Sequence, residues 1–80
     1  MNHSFTLTVD HRLTDDELDR LFEAGGDDTA PERTADGQTL IHFDREAPNL
    51  GQAVASALGT LTAAGLTVIG ITAPDPAEVA

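Results

Sequence analysis

The spacing of apolar residues switches between a period of two and a period of three to four along this 80-residue chain, and the switching constrains its fold more than any other feature. Residues 4–10 alternate apolar side chains with threonines, which predicts a strand with one apolar face. The apolar members of this strand are Phe5, Leu7 and Val9. Residues 38–45 repeat the period of two and predict a second such strand, with Ile41 and Phe43 on its inner face.

A period of three to four over residues 13–25 predicts an amphipathic helix. Thr14 is the expected N-cap and Glu17 stands three residues later, a spacing that allows a reciprocal capping box. The inner face of this helix is expected to contain Leu18, Leu21, Phe22 and Gly25.

Residues 50–64 predict a second helix, which begins after the N-cap Asn49 and ends at Gly65. Its apolar stripe is expected to contain Leu50, Val54, Ala57, Leu58 and Leu61. Small side chains such as Ala53, Ala57 and Ala64 would let the helix lie close to a sheet.

Two further strands complete the prediction. Residues 29–34 contain Pro31, which removes a backbone donor, so this strand is expected at an edge of the sheet. Asp36-Gly37 after it is a hairpin-turn signal. Residues 66–72 predict the last strand, which is apolar on both faces.

The predicted order is therefore strand, helix, strand, strand, helix, strand in a single domain over residues 1–73, followed by a flexible tail over 74–80. This order is typical of the α+β ferredoxin-like (βαββαβ) fold. Right-handed crossovers would place both helices on one face of a four-stranded antiparallel sheet, with the fourth strand beside the first, then the third and the second.

Composition excludes several classes of function. The 14 acidic side chains face only four arginines and no lysine, which gives a formal net charge of −10. We therefore expect neither nucleic acid nor an anionic membrane as a direct partner. The start of the chain lacks the features of a signal peptide, and no apolar run approaches the roughly 20 residues of a membrane span. A soluble, cytoplasmic domain is expected.

Residues that carry chemistry are few and scattered. The chain has no cysteine, so neither a disulfide nor a thiolate metal site is available. Its serines, Ser4 and Ser56, stand outside any nucleophile motif, and His3, His11 and His42 lack the spacing of metal ligands. We predict a non-enzymatic domain with no catalytic residue, no cofactor and no metal.

Acidic residues are concentrated on and after the first helix. Acids in the first turn favour the positive helix N-terminus, but those near its C-terminus have no such explanation. The surplus predicts a surface for a basic protein partner, with enhanced solubility as the alternative. The expected partner-binding residues are Asp15, Asp16, Asp19, Glu23, Asp27 and Asp28.

The last strand predicts a second surface, because a strand that is apolar on both faces at a sheet edge exposes apolar side chains. Either Ile69 and Ile71 or Leu66 and Val68 are expected on the open face of the sheet. A homodimer contact is expected there, unless the C-terminal tail folds over the strand. The expected interface residues are Val68, Ile69 and Ile71, with Leu40 and His42 on the open face of the sheet.

Four stretches together resemble the N-terminal domain of small helix-turn-helix DNA-binding or antitoxin-like proteins of actinobacteria and other high-GC bacteria; they are residues 13–28, 41–48, 53–58 and 63–68. The resemblance implies no catalytic residue. It does not imply DNA binding either, because these 80 residues contain no recognition helix and no basic segment. Within residues 41–48, Asp44 and Arg45 are expected to pair locally.

Three hypotheses of function follow. The first is a non-enzymatic interaction domain, such as a phage- or bacterium-encoded inhibitor whose acidic surface imitates DNA and binds a basic partner. The second is a stand-alone regulatory or antitoxin-like dimerisation domain. The third is a small-ligand sensor or minor enzyme that uses the open sheet face around Arg12 and His42.

Overall fold

A computed structural model describes residues 2–26 and 28–73. Its elements are β1 (Asn2–Val9), α1 (Asp15–Glu23), β2 (Thr29–Arg33), β3 (Thr39–Glu46), α2 (Leu50–Ala63) and β4 (Val68–Thr72). The strands form one antiparallel sheet in the order β2-β3-β1-β4, which read from the other edge is β4-β1-β3-β2. The predicted α+β class is confirmed, and the arrangement is consistent with a ferredoxin-like fold. The predicted tail, residues 74–80, lies outside the described residues.

The two central strands supply the middle of the core. Phe5 and Phe43 are partners in the β1–β3 register, and their rings stack with centroids 5.3 Å apart. Cross-strand aromatic pairs of this kind stabilise a sheet beyond the area that they bury. The apolar residues expected on the inner face of these strands are all buried, which confirms the predicted period: Phe5, Leu7, Val9, Ile41 and Phe43.

Helix α1 begins with the predicted capping box. The Thr14 hydroxyl accepts the Glu17 N–H at 3.2 Å, and the Glu17 carboxylate accepts the Thr14 N–H at 2.9 Å. These two bonds satisfy backbone donors that have no partner within the helix. The inner face is centred on Leu21, which is fully buried, whereas Phe22 is 46% exposed. The prediction that Phe22 belongs to the inner face was wrong, because it is turned about 100° from Leu21 around the helix axis.

Two glycines end α1 and direct the chain toward β2. Gly25 has a φ of 105°, a left-handed conformation that favours glycine. Gly26 passes so close to Leu21 that a Cβ atom at Gly26 would lie 2.7 Å from the Leu21 carbonyl oxygen. Two residues later, the Asp28 carbonyl accepts the Asp44 N–H of β3 at 3.4 Å.

Helix α2 packs through small residues. Its buried positions are Ala53, Ala57, Thr60 and Leu61, with Ala64 buried just after the helix. Leu50, Val54 and Leu58, which the sequence placed in the inner stripe, are only partly buried. The predicted stripe is thus confirmed at Ala57 and Leu61, while these three larger side chains pack against the core without being fully buried. The expected close approach of the alanines to the sheet is also confirmed.

Strand β4 begins at Val68, two residues later than predicted, although Leu66 before it is buried. Ile71 lies opposite the buried Leu7, so its side chain is on the helix-covered side of the sheet. A bulge inserts Ile69 where the register shifts beside Val9. Both alternatives for the open face were therefore wrong in part, because Ile71 lies on the helix-covered side, Leu66 belongs to the core and Val68 packs against it.

Candidate functional site

Four exposed carboxylates form the outer side of α1, and we call them the acidic face: Asp15, Asp16, Asp19 and Glu23. Asp15, Asp19 and Glu23 follow one another at intervals of four residues, which spaces them about 6 Å apart along the helix axis. The Asp15 side chain is 94% exposed and has one loose contact, 3.3 Å from the Arg33 guanidinium. Such an exposed ion pair contributes little to stability. All four predicted partner-binding residues on α1 are therefore accessible to another protein.

Glu17, on the same helix, is used inside the fold. One carboxylate oxygen accepts the Thr14 N–H of the capping box, and the other lies 2.7 Å from Nε2 of His11. The hydrogen bond from the Thr14 backbone is the main cause of a lowered pKa of Glu17, and the hydrogen bond with His11 is the second cause. Glu17 therefore secures the start of α1, and its carboxylate is paired with His11 and only 16% exposed.

Asp28, another of the predicted partner-binding residues, is also paired inside the fold. Nε and Nη2 of Arg45 donate to its two carboxylate oxygens, both at 2.8 Å. The hydrogen bonds from Arg45 are the main cause of the lowered pKa of Asp28. The bidentate geometry is the strongest form of such a pair. Asp27, the remaining predicted residue, lies outside the described residues.

Arg45 holds three segments together. Besides Asp28, it donates to the Gly25 carbonyl at 3.2 Å and to the hydroxyls of Ser56 and Thr60 on α2 at 3.1 and 3.2 Å. The sequence predicted a local pair between Arg45 and Asp44. Arg45 makes these contacts instead, because consecutive strand residues point to opposite sides of the sheet. A cleft of about 530 Å³ lies over this cluster. In its lining, Arg45 already bonds to Asp28, Ser56 and Thr60.

On the open face of the sheet, His42 joins a hydroxyl to a carboxylate. Its Nδ1 lies 2.8 Å from Oγ1 of Thr6, and its Nε2 lies 3.1 Å from Oε1 of Glu32. Thr6 and His42 are register partners in β1 and β3, so the predicted strand order contained the signal for this contact. Thr6 is only 7% exposed, and its hydroxyl is already bonded to the ring of His42. These bonds hold the ring of His42 on the sheet.

His11 is bonded to a carboxylate through each ring nitrogen, an arrangement that the sequence analysis did not find. Nδ1 lies 2.8 Å from Asp10 and Nε2 lies 2.7 Å from Glu17. Both nitrogens can donate only in the imidazolium form, so the hydrogen bond to Asp10, followed by that to Glu17, raises the pKa of His11. Buried Thr39 holds this loop, because its hydroxyl donates to the His11 carbonyl at 2.8 Å.

The residues predicted for a dimer interface fall into two groups. Ile69 and Ile71 are 53% and 49% exposed, whereas Val68 is partly buried against the core. Leu40 and His42 are partly buried on the open face of the sheet, which is separate from the side on which Ile71 lies. The structure therefore does not bring the five residues together on one surface.

Comparison of the chain with protein-family models, curated proteins and solved structures gives no match, so the resemblance to helix-turn-helix proteins stays a prediction. Within residues 2–26 and 28–73, no group of three or more histidine, aspartate or glutamate side chains is arranged to hold a metal ion. No helix in the same part of the chain has both the length and the apolar character that a membrane span requires.

Proposed function

We propose that this chain is a non-enzymatic, cytoplasmic protein-interaction domain that binds a basic partner through the acidic face of α1. One observation carries the proposal, namely the division of the carboxylates into two classes. Glu17 and Asp28 are satisfied by partners within the fold, whereas Asp16, Asp19 and Glu23 point into solvent at the outer side of one helix.

The chemistry of this face favours a partner rich in arginine and lysine. A row of carboxylates about 6 Å apart along a rigid helix presents negative charge at fixed spacing, as a nucleic-acid backbone does with its phosphates. A partner that normally binds phosphates therefore fits the face. This supports the proposal of a phage- or bacterium-encoded inhibitor that occupies the nucleic-acid groove of such a protein.

The two alternatives draw on other parts of the molecule. A ligand sensor or minor enzyme would use the open face around His42, where Thr6 and Glu32 already occupy both ring nitrogens. Arg12, the other residue in that hypothesis, is exposed in the loop after β1. A regulatory or antitoxin-like dimerisation domain would use the edge of β4, which is treated below as a separate surface.

The proposal is tested by capture of proteins from a bacterial lysate on three immobilised versions of the chain, with the bound proteins identified by mass spectrometry. The versions are the wild type, a variant with Asp15→Lys, Asp19→Lys and Glu23→Lys, and a control with Glu32→Lys, Asp36→Lys and Asp44→Lys. The two variants change the net charge equally, but only the first alters the acidic face. Circular dichroism verifies that each variant is folded.

We expect a basic protein that binds the wild type and the control but not the α1 variant. Its affinity should fall as salt rises, because exposed charges are screened beyond about 8 Å at physiological ionic strength. A captured protein that binds all three versions equally, without dependence on salt, would overturn the proposal. The acidic face would then be explained by solubility alone.

A further inference from the structure

The two edges of the sheet differ in how they are protected. β2 contains Pro31, which has no N–H to offer, and exposes the charged side chains of Glu32 and Arg33. These are common protections against edge-to-edge association. β4 has neither a proline nor a charge, and within residues 2–26 and 28–73 no strand pairs with its outer side. Two of its side chains, Ile69 and Ile71, are about half exposed.

Residues 47–73, which include α2 and β4, contain no ionisable side chain. All four arginines lie before residue 47, and of the 14 acidic side chains only Asp75 and Glu78 follow that point. Helix α2 therefore has no ionisable side chain, although positions such as Gly51, Ala55 and Gly59 are exposed. Solvent-facing positions of a helix normally carry charged or strongly polar residues. We call the outer edge of β4, with its exposed Ile69 and Ile71, the neutral surface.

We propose that the neutral surface binds a second copy of this chain, with β4 of one copy pairing antiparallel to β4 of the other. The occupant must offer an unpaired strand edge and an uncharged, apolar side, and another copy offers both. Antiparallel pairing about a two-fold axis through Ile71 brings the Ile71 side chains of the two copies together on the helix-covered side. The two sheets then form one continuous sheet of eight strands.

The size of the interface determines its strength. A stable protein interface buries about 800 Å² on each partner. A five-residue edge strand with two half-exposed isoleucines offers less, so the dimer is weak and depends on concentration. The bulge at Ile69 limits the regular part of the edge further, to the segment that ends at Thr72.

Salt distinguishes a second copy from any basic occupant. Two copies that each carry a formal charge of −10 repel one another, so screening of that repulsion strengthens the dimer as salt rises. A basic protein on the acidic face shows the opposite dependence. Each proposal can therefore fail while the other holds.

The test is sedimentation equilibrium of the full chain from low to high micromolar concentration at two salt concentrations. Ile71→Lys and Ile69→Lys are compared with Phe22→Lys, which makes the same change of charge at a similarly exposed apolar residue on α1. Ile71→Thr removes apolar area but keeps a residue that favours strands. This variant replaces the lysine variants in the test if they do not fold.

We expect the mass of the wild type to rise from 8.4 kDa toward twice that value, and to rise at lower concentration in higher salt. Ile71→Lys should weaken association at least about tenfold, because an unpaired ammonium group would be buried in the interface. Ile71→Thr should weaken it less, and Phe22→Lys should leave it unchanged. A monomeric wild type at every concentration, or a dimer that the isoleucine variants do not weaken more than Phe22→Lys does, would overturn the proposal.

Discussion

The two halves of the molecule share one core but expose different chemistry. The first half, β1 through β3, carries all the arginines and nearly all the carboxylates, whereas residues 47–73 of the second half carry no charge. Both helices contribute to the same hydrophobic cluster, through Leu21 from α1 and Leu61 from α2. Burial of an apolar stripe therefore does not dictate what a helix places on its outer side. The difference concerns surface chemistry, and it separates a surface suited to a basic partner from one suited to an uncharged one.

Arg45 joins the two halves, and its removal should have the largest effect on stability. It binds Asp28 on the charged half and Ser56 and Thr60 on the neutral half, and its side chain is only 11% exposed. We expect Arg45→Ala to lower the free energy of unfolding by about 3 kcal/mol, since Asp28 is left without its charged partner and several hydrogen bonds are lost. Urea unfolding measures the change.

Arg33→Ala is the matched control, because Arg33 also pairs with an aspartate but at the surface. Its loss should be under about 0.5 kcal/mol. Equal losses for the two arginine variants would show that Arg45 does not join the halves in the way the contacts indicate.

The small residues of α2 provide the second prediction. Ala57 is fully buried against the sheet, whereas Ala55 on the same helix is exposed. Ala57→Leu should cost about 2 kcal/mol through overpacking, while Ala55→Leu should change stability by less than about 0.5 kcal/mol. Thermal unfolding compares them. If Ala57→Leu proved as neutral as Ala55→Leu, α2 would not pack as closely as described.

Local patterns predicted the element order, the inner faces of β1 and β3 and the capping box of α1, because each depends on neighbours in the sequence. The buried stripe of α2 was predicted less well. In a helix without charged residues, no side chain marks the side that faces solvent. The sequence therefore did not show that Leu50, Val54 and Leu58 are only partly buried where they pack against the core. Their positions are instead decided by how closely Ala53 and Ala57 approach the sheet.

The candidate site was predicted in part. The exposed acids of α1 follow from helical spacing, but the internal use of Asp28 depends on a contact with Arg45, 17 residues away, across the path of the chain after α1. The side on which Ile71 lies depends on a bulge at Ile69, and one extra residue in a strand reverses the expected alternation. Neither feature leaves a periodic signal.

Acid should weaken the charged half through Asp28. Because Arg45 lowers the folded-state pKa of Asp28, its contribution to stability is complete above the ordinary value of 3.8 and is lost as pH falls through the lower folded value. The difference in unfolding free energy between the wild type and Asp28→Asn should therefore shrink below pH 3.8. A difference that stays constant as the pH is lowered would contradict this role for the pair with Arg45.

His11 should respond in the opposite direction and with the smallest effect, since it is exposed and its hydrogen bonds are open to water. Its folded-state pKa is raised above 6.5, so the stability that the imidazolium contributes is present below pH 6.5 and is lost as pH rises through the folded value. NMR titration of the ring protons measures that pKa. Asp10→Asn should lower it, because the Asp10 hydrogen bond is the larger cause. Glu17→Gln should also lower it, but less, while the amide keeps the capping box at Thr14. A larger decrease in the His11 pKa for Glu17→Gln than for Asp10→Asn would contradict this order. It would show that Glu17 in the helix cap, and not Asp10 in the loop after β1, is the main cause of the raised pKa.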